Sequence, residues 1–354
     1  MIKKAPDKDQ SNRAIVLPQD IDIVILDAYS LLFRAYHSFP LSLQSPDGEI
    51  TNAVYGFTRM LLRVLEIVDP KYIVTGTDMG EPTFRHQTYT QYKANREEAD
   101  PELKAQFPLM YAVLEVLNIP TIGINGYEAD DVIGTLSEKL SHSNPELKVA
   151  IFTSDRDTFQ LIHDNVYVLW PERDGSGDLR VIDKQAVEDH FGVKVDQVID
   201  YKALCGDPSD NIPGVKGVGP KTAVQLLTEF GSIERLYQAL MLASKINSSS
   251  HLNQAEIKKK FSKSERVQLI SKVKDLRPAV IKKLVDSQEE AWLSQELAKI
   301  DTDVPLDFSL EQAKLCDYDK TSALELFTQL GFESLKRKLP SDSFENQVQT
   351  SLFG

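Results

Sequence analysis

The chain has 354 residues, 42% apolar and 26% charged, with a formal net charge of −13, enough for one large domain or two modest ones. Its two cysteines, Cys205 and Cys316, argue against a disulfide scaffold or a thiolate metal site. No apolar run reaches the roughly 18 residues that span a bilayer, and no apolar segment follows Lys3 and Lys4 as a secretory signal requires, so the expected setting is the cytoplasm, with no membrane partner.

Residues 1–20 are polar and aperiodic and read as a flexible tail. Ile21–Leu26 is an apolar run ending at Asp27, Tyr72–Thr75 ends near Asp78, and Val149–Phe152 ends near Asp155. Each is short and rich in β-branched residues, the pattern of a buried strand. Helical patterns lie between them: Val54–Val68, with Phe57, Leu61, Leu65 and Val68 on one face, and Leu109–Leu117. Alternating strands and helices imply an α/β fold on a parallel sheet. Past about residue 190 the strand signals fade. Residues 195–240 read as short helices around a Gly-rich turn. Residues 244–265, with Ser248-Ser249-Ser250 and Lys258-Lys259-Lys260, read as a solvated, mobile insert, and 287–299 and 321–338 as helices. The expected division is a tail (1–20), an α/β core (21–190), a helical region (191–339) and a second flexible tail (340–354).

Each predicted strand delivers an acid just past its C-terminal end, the edge where open parallel sheets bind ligands. Glu128, Asp130 and Asp131 stand at a predicted helix start, where the helix dipole favours negative charge. Asp207 and Asp210 follow in Gly206-Asp207-Pro208-Ser209-Asp210-Asn211. Phosphodiester cleavage uses paired hard cations held by carboxylates, and converging carboxylates repel one another without a cation between them. An acid after a strand also serves as an N-cap. For Asp27, Asp78 or Asp155 taken singly, both readings stay open. Asp130-Asp131 and Asp155-Arg156-Asp157 exceed what one cap needs.

Residues 82–96 carry Arg85, Tyr89, Tyr92, Lys93 and Arg96 at helical spacing and no acid among them. That is either a solvated charged face or a surface for phosphates and stacked bases. Gly214-Val215-Lys216-Gly217-Val218-Gly219-Pro220-Lys221-Thr222 precedes the helical run Ala223–Phe230. Pro220 breaks the contiguous Gly-Lys-Ser/Thr of a P-loop. What remains is a tight interhelical turn, or backbone N–H groups and a helix start offered to phosphate.

Six motifs stand in order: Leu26-Asp27-Ala28-Tyr29-Ser30, Thr83-Phe84-Arg85-His86, Tyr92-Lys93-Ala94-Asn95-Arg96, Glu128-Ala129-Asp130-Asp131, Ser154-Asp155-Arg156-Asp157 and Gly206-Asp207-Pro208-Ser209-Asp210-Asn211-Ile212-Pro213-Gly214-Val215. With them the chain resembles the 5′-nuclease (flap endonuclease) superfamily, specifically the N-terminal nuclease domain of bacterial DNA polymerase I, over about residues 21–339. The resemblance implies a parallel-sheet PIN-like core with a helical arch (about 81–110) and an appended helix–three-turn–helix (about 195–231). It places metal ligands on Asp27, Asp78, Glu128, Asp130, Asp131, Asp155, Asp157, Asp207 and Asp210, holding two or more Mg²⁺ ions, with Mn²⁺ as a substitute. Asp131 and Asp210 are the members most open to acting through water. It makes Lys93, Arg96, Asp155 and Asp157 catalytic. Arg34, Arg85, Tyr92, Lys93, Arg96, Gly214, Lys216, Gly217, Gly219, Lys221 and Thr222 become DNA contacts, with K⁺ at the helix–three-turn–helix. Ser154 departs from the glycine usual there.

The implied substrate is DNA with 5′ flaps, nicks or RNA primers, cut by a monomer acting in replication and repair at the nucleoid. Gln349-Thr350-Ser351-Leu352-Phe353 resembles the pentapeptide that binds the bacterial sliding clamp, with Gln349, Leu352 and Phe353 as anchors. That tail favours a natural stand-alone chain over an excised piece of polymerase. A non-catalytic DNA-binding relative predicts missing acids, and none is missing. A small RNA-directed PIN nuclease lacks the turn that Gly214–Thr222 supplies.

Overall fold

The computed structural model describes residues 21–80, 82–172, 179–247, 251–315, 318–342 and 345. The tail at 1–20 and the Gln349, Leu352 and Phe353 motif lie outside the described residues. In chain order the first part runs β1 (Ile23–Asp27), α1 (Ala28–Ser38), α2 (Asn52–Val68), β2 (Tyr72–Gly76), α3 (Phe84–Thr88), α4 (Pro101–Lys104) and α5 (Phe107–Val116). Then come β3 (Thr121–Ile122), α6 (Ala129–Ser143), β4 (Val149–Phe152), β5 (Val166–Pro171), β6 (Leu179–Ile182) and α7 (Lys184–Phe191). The second part is helical: α8 (Val198–Cys205), α9 (Pro220–Phe230), α10 (Ile233–Leu242), α11 (Gln254–Lys260), α12 (Lys263–Asp275), α13 (Pro278–Asp286), α14 (Gln288–Ala298), α15 (Lys320–Gln329) and α16 (Glu333–Lys336).

The six strands lie in the order β3-β2-β1-β4-β5-β6. All neighbours pair in parallel except β6, which runs antiparallel to β5. The parallel-sheet core is as expected, and the sheet is mixed at one edge through β6. Alternation along β1 and β4 explains why both faces are covered. Ile23, Ile25, Val149 and Ile151 pack with α6 residues Val132, Ile133 and Leu136. Val24, Leu26, Ala150 and Phe152 pack with Leu31 and Phe57 of α1 and α2. The first of these cores continues into the helical region through Leu204, Leu226, Tyr237 and Trp292.

The register of β1 brings Asp27 level with Gly76 on one side, and Leu26 level with Phe152 on the other. The acids two residues past Gly76 and three past Phe152 therefore emerge on one edge. In the 244–265 stretch, Ser248-Ser249-Ser250 lie outside the described residues, and the expectation for residues 251–265 is corrected. Leu252, Ile257 and Phe261 are buried, and α11 and α12 pack on α10. Its lysines masked an apolar residue every four or five positions, which is what binds it to the core.

Candidate active site

Asp27 ends β1 and caps α1, its Oδ1 accepting from the Ser30 N–H at 3.1 Å. Its Oδ2 accepts from the Thr153 hydroxyl at 2.6 Å. The cap reading is thus true of Asp27, and it uses only one oxygen. Burial, partly offset by the Thr153 bond and reinforced by Asp155 and Asp78, raises this carboxyl to about 7. Asp78 reaches the start of α6, where the Ala129 N–H donates to its Oδ1 at 2.9 Å. Burial raises its pKa too. Asp155 caps a 3₁₀ turn over Arg156–Leu161, accepting from the Asp157 N–H at 2.9 Å. Burial, then the charges of Asp155, Asp27 and Asp157, push Asp130 well above the carboxylate range. Asp157 is raised to about 7 by burial and by Asp155 and Asp210, against the pull of Lys202.

Asp207 and Asp210 reach the same edge on a closed loop. The Asp207 N–H donates to the Ile212 carbonyl at 3.0 Å, and the Ile212 N–H returns the bond at 2.9 Å. Glycine is required where the loop closes. Gly214 has φ +62°, and a Cβ there would lie 2.2 Å from the Gly206 nitrogen.

The chain supplies its own counter-charges. Lys93 Nζ lies 2.9 Å from Glu128 and 3.8 Å from Asp210, and Arg96 pairs with Asp210. The segment carrying them is docked on the acid loop. The Lys93 N–H donates to the Asp210 carbonyl at 3.0 Å, and Asn95 donates to the Pro208 carbonyl at 2.7 Å. Lys202 on α8 is 5% exposed, pairs with Asp157, and lies 2.8 Å from Asp207. Burial opposes its charge, but these two carboxylates raise its pKa. The same contact, with help from Ser209, carries Asp207 below the usual carboxylate value despite burial.

Lys202 was missed in the sequence. Its signal was a lone lysine in the otherwise apolar stretch Tyr201–Cys205, five residues before Asp207. A buried lysine requires acid partners.

Three expectations are corrected. Arg85 is 2% exposed, so it offers no charge to DNA. It donates to Asp131 through Nη1 at 2.8 Å and Nη2 at 2.7 Å, and to the Leu297 and Lys299 carbonyls. Asp131 is wholly buried, held by Arg85 and by the N–H groups of Glu128 and Asp301. Its oxygens fasten α6 to the segment after α14 and are taken up by these donors. Tyr92 is 3% exposed, its hydroxyl donating to Glu128 at 3.1 Å and Asp210 at 3.2 Å, so its ring stacks on no base. The shared helical face fails for a local reason: α3 is only five residues long and Lys93 adopts φ +55°.

The remaining expected contacts divide. Arg34 is half-buried and donates to the Pro171 carbonyl. Gly214 is buried, its N–H given to Ser294 at 2.9 Å, so it meets no phosphate. Lys216, Gly217 and Lys221 are exposed, and Gly219 caps α9 ahead of Pro220, with Thr222 in its first turn.

The donor set fits hard divalent cations. Every candidate is a carboxylate oxygen, and Asp27, Asp130 and Asp157 are raised first by burial and then by the charge of neighbouring carboxylates. Among the described residues no three His, Cys, Asp or Glu side chains already stand grouped as a cage; Lys93, Arg96 and Lys202 hold several of the carboxylates instead.

A sheet edge that gathers carboxylates from three strand ends, a helix start and a loop, beside a helical region with a Gly-rich turn, defines a nuclease-like α/β protein. Residues 22–192 match the family model for the 5′-3′ exonuclease N-terminal resolvase-like domain, and residues 193–321 that for the 5′-3′ exonuclease C-terminal SAM fold. The chain belongs to the 5′-3′ exonuclease family. It is 32% identical over 331 residues to the 5′-3′ exonuclease of Aquifex aeolicus, covering 94% of this chain and 99% of that one. It is 36% identical over 325 residues to the DNA polymerase I of Bacillus caldotenax, covering 92% of this chain and 33% of that one. The chain thus spans about a third of the polymerases it matches. Its fold is shared with bacteriophage T5 5′-exonuclease carrying zinc, at TM-score 0.55 and 20% identity over 93% of this chain and 98% of that one. It is also shared with the T5 flap endonuclease in a complex with DNA and metal ions, at TM-score 0.56 and 19% identity over the same shares.

Proposed function

We propose that this chain is a 5′-3′ exonuclease and flap endonuclease that hydrolyses phosphodiesters at 5′ flaps, nicks and RNA primers of DNA, using Mg²⁺ or, in its place, Mn²⁺. The observation that carries this is the convergence of buried, mutually repelling carboxylates on one sheet edge of a 5′-3′ exonuclease family member. Asp27, Asp78, Glu128, Asp130, Asp155, Asp157, Asp207 and Asp210 would hold the ions; Asp131 is fully occupied by Arg85. Held by these residues, paired divalent ions would supply Lewis-acid activation of water and of the leaving oxygen. Lys93 and Arg96 reach over these acids from the segment after α3, placed to balance charge that grows on the phosphoryl oxygens. The exposed Lys216 and Lys221 flank the start of α9 and would grip duplex backbone without reading sequence.

Asp155→Asn and Asp78→Asn test this reading, since an amide oxygen can still accept the N–H bond each carboxylate receives. Flap cleavage with Mg²⁺ should fall at least about 100-fold in each, the scale of losing one transition-state-stabilising group, while flap-DNA binding stays measurable by anisotropy. Full activity in both variants would refute the site.

A further inference from the structure

Lys283 lies in the last turn of α13, far in sequence from the turn between α8 and α9. Its Nζ nevertheless donates to the Gly217 carbonyl at 2.6 Å. Gly217 has φ +77°, and a Cβ there would stand 3.0 Å from Nζ and 3.1 Å from Cε of Lys283. Glycine at 217 therefore sets the turn and also admits the lysine against its backbone. The Val218 N–H closes the turn on the Val215 carbonyl at 2.9 Å, directly ahead of the Gly219 cap of α9.

Lys139 and Lys272 also donate to backbone carbonyls, those of Leu306 and Glu229, but the lysines near the acidic edge and the adjacent lysine in α13 use acids. Lys93 and Lys202 rest on carboxylates, and the neighbouring Lys282 pairs with Asp286 at 2.5 Å. Among the described residues no acid pairs with Lys283. Its ammonium has three donors, and the Gly217 carbonyl takes one. Its charge stays without an acid partner at a turn that also carries the exposed Lys216 and leads into α9. A backbone carbonyl accepting from a cation is how loops hold a monovalent ion. Here that oxygen is already engaged by a fixed cation, which would repel a second one.

We propose that Lys283 is the tethered cation of this turn, taking the place of a free K⁺ and offering its remaining donors to a backbone phosphate of duplex DNA. The inference rests on the reading that the turn grips duplex backbone. It departs from the expectation of a bound K⁺.

The test is anisotropy of a labelled flap duplex with the full chain, in Ca²⁺ to hold off cleavage, at equal concentrations of K⁺, Na⁺ or tetramethylammonium chloride. Wild-type affinity should agree within about twofold across the three salts, since the counterion effect on phosphate contacts is shared. Lys283→Ala should bind about tenfold more weakly in tetramethylammonium and recover in K⁺, which can then enter the vacated turn. Its slope of log affinity against log tetramethylammonium should fall by about one, as for one lost phosphate contact. A wild-type protein that requires K⁺, a Lys283→Ala protein equal to wild type in every salt, or a loss that K⁺ does not restore overturns the proposal. Lys216→Ala with Lys221→Ala is the separate arm. If that pair binds like wild type, the turn itself is not the duplex grip. If it binds weakly while Lys283→Ala does not, only the tethered-cation proposal fails.

Discussion

Arg85 offers the sharpest separation between a DNA contact and a structural pin. Its guanidinium is buried against a wholly buried Asp131 in a two-pronged pair, with bonds to the carbonyls of Leu297 in the last turn of α14 and Lys299 just after it, and stacking 4.5 Å over Phe84. Arg85→Met keeps the side chain's bulk and removes all of these bonds. It leaves the Asp131 charge wholly buried, and breaking such a pair by deleting one partner costs about 3–5 kcal/mol. The Leu297 and Lys299 carbonyls lose partners as well, so the upper half of that range is expected. Asp131→Asn makes the converse break. Combining the two removes both charges, so the double variant should be less unstable than the sum by roughly 2 kcal/mol or more, the coupling of residues in one network. Urea unfolding followed by circular dichroism reads all four corners of the cycle. If Arg85→Met unfolds at the wild-type midpoint and instead weakens flap-DNA affinity, Arg85 faces the substrate and the buried-pin reasoning is wrong.

Lys202→Met should destabilise the metal-free protein by about 2–4 kcal/mol, because Asp157 and Asp207 lose their shared cation; added Mg²⁺ should raise the melting temperature of the variant more than that of wild type, and an equal rise in both would count against metal entering beside those two acids. The clamp motif stands as a proposal on sequence alone: deleting residues 349–354 should abolish binding to a bacterial sliding clamp in surface plasmon resonance, and unchanged binding would dismiss it.

Much of the fold was legible where one physical rule acted alone. β1, β2 and β4 are buried on both faces, so their apolar runs were unbroken and the acids beyond them were easy to place. β3 is two residues long, and β5 and β6 lie past a 3₁₀ turn that gives no periodic signal. β6 has an exposed Arg180 and a partly exposed Val181 on its edge, which diluted the pattern. The site was legible as a list of acids, because acids in excess of capping needs stand out. It was not legible as a set of pairs. Nothing in the spacing of Arg85 says that its side chain points inward to Asp131, since that depends on where the chain after α14 passes. Tyr92 followed the same logic, being drawn inward by two carboxylates on separate loops.

A net charge of −13 spread evenly over the chain would repel a nucleic acid. The structure distributes it otherwise. Asp131 is matched by Arg85, Glu128 by Lys93, Asp210 by Arg96, and Asp157 with Asp207 by Lys202. Those basic side chains are engaged by acids, Arg85 and Lys202 in buried pairs and Arg96 at the surface. The lysines of the α8–α9 turn have no such duty: Lys216 and Lys221 are exposed, and Lys283 rests on a neutral carbonyl. Phosphate responds to the charge within about a Debye length, roughly 8 Å in physiological salt, so this turn presents a positive surface however acidic the whole chain is. An acidic protein can therefore keep a site that demands cations and a separate surface that supplies them, provided the fold holds the two apart.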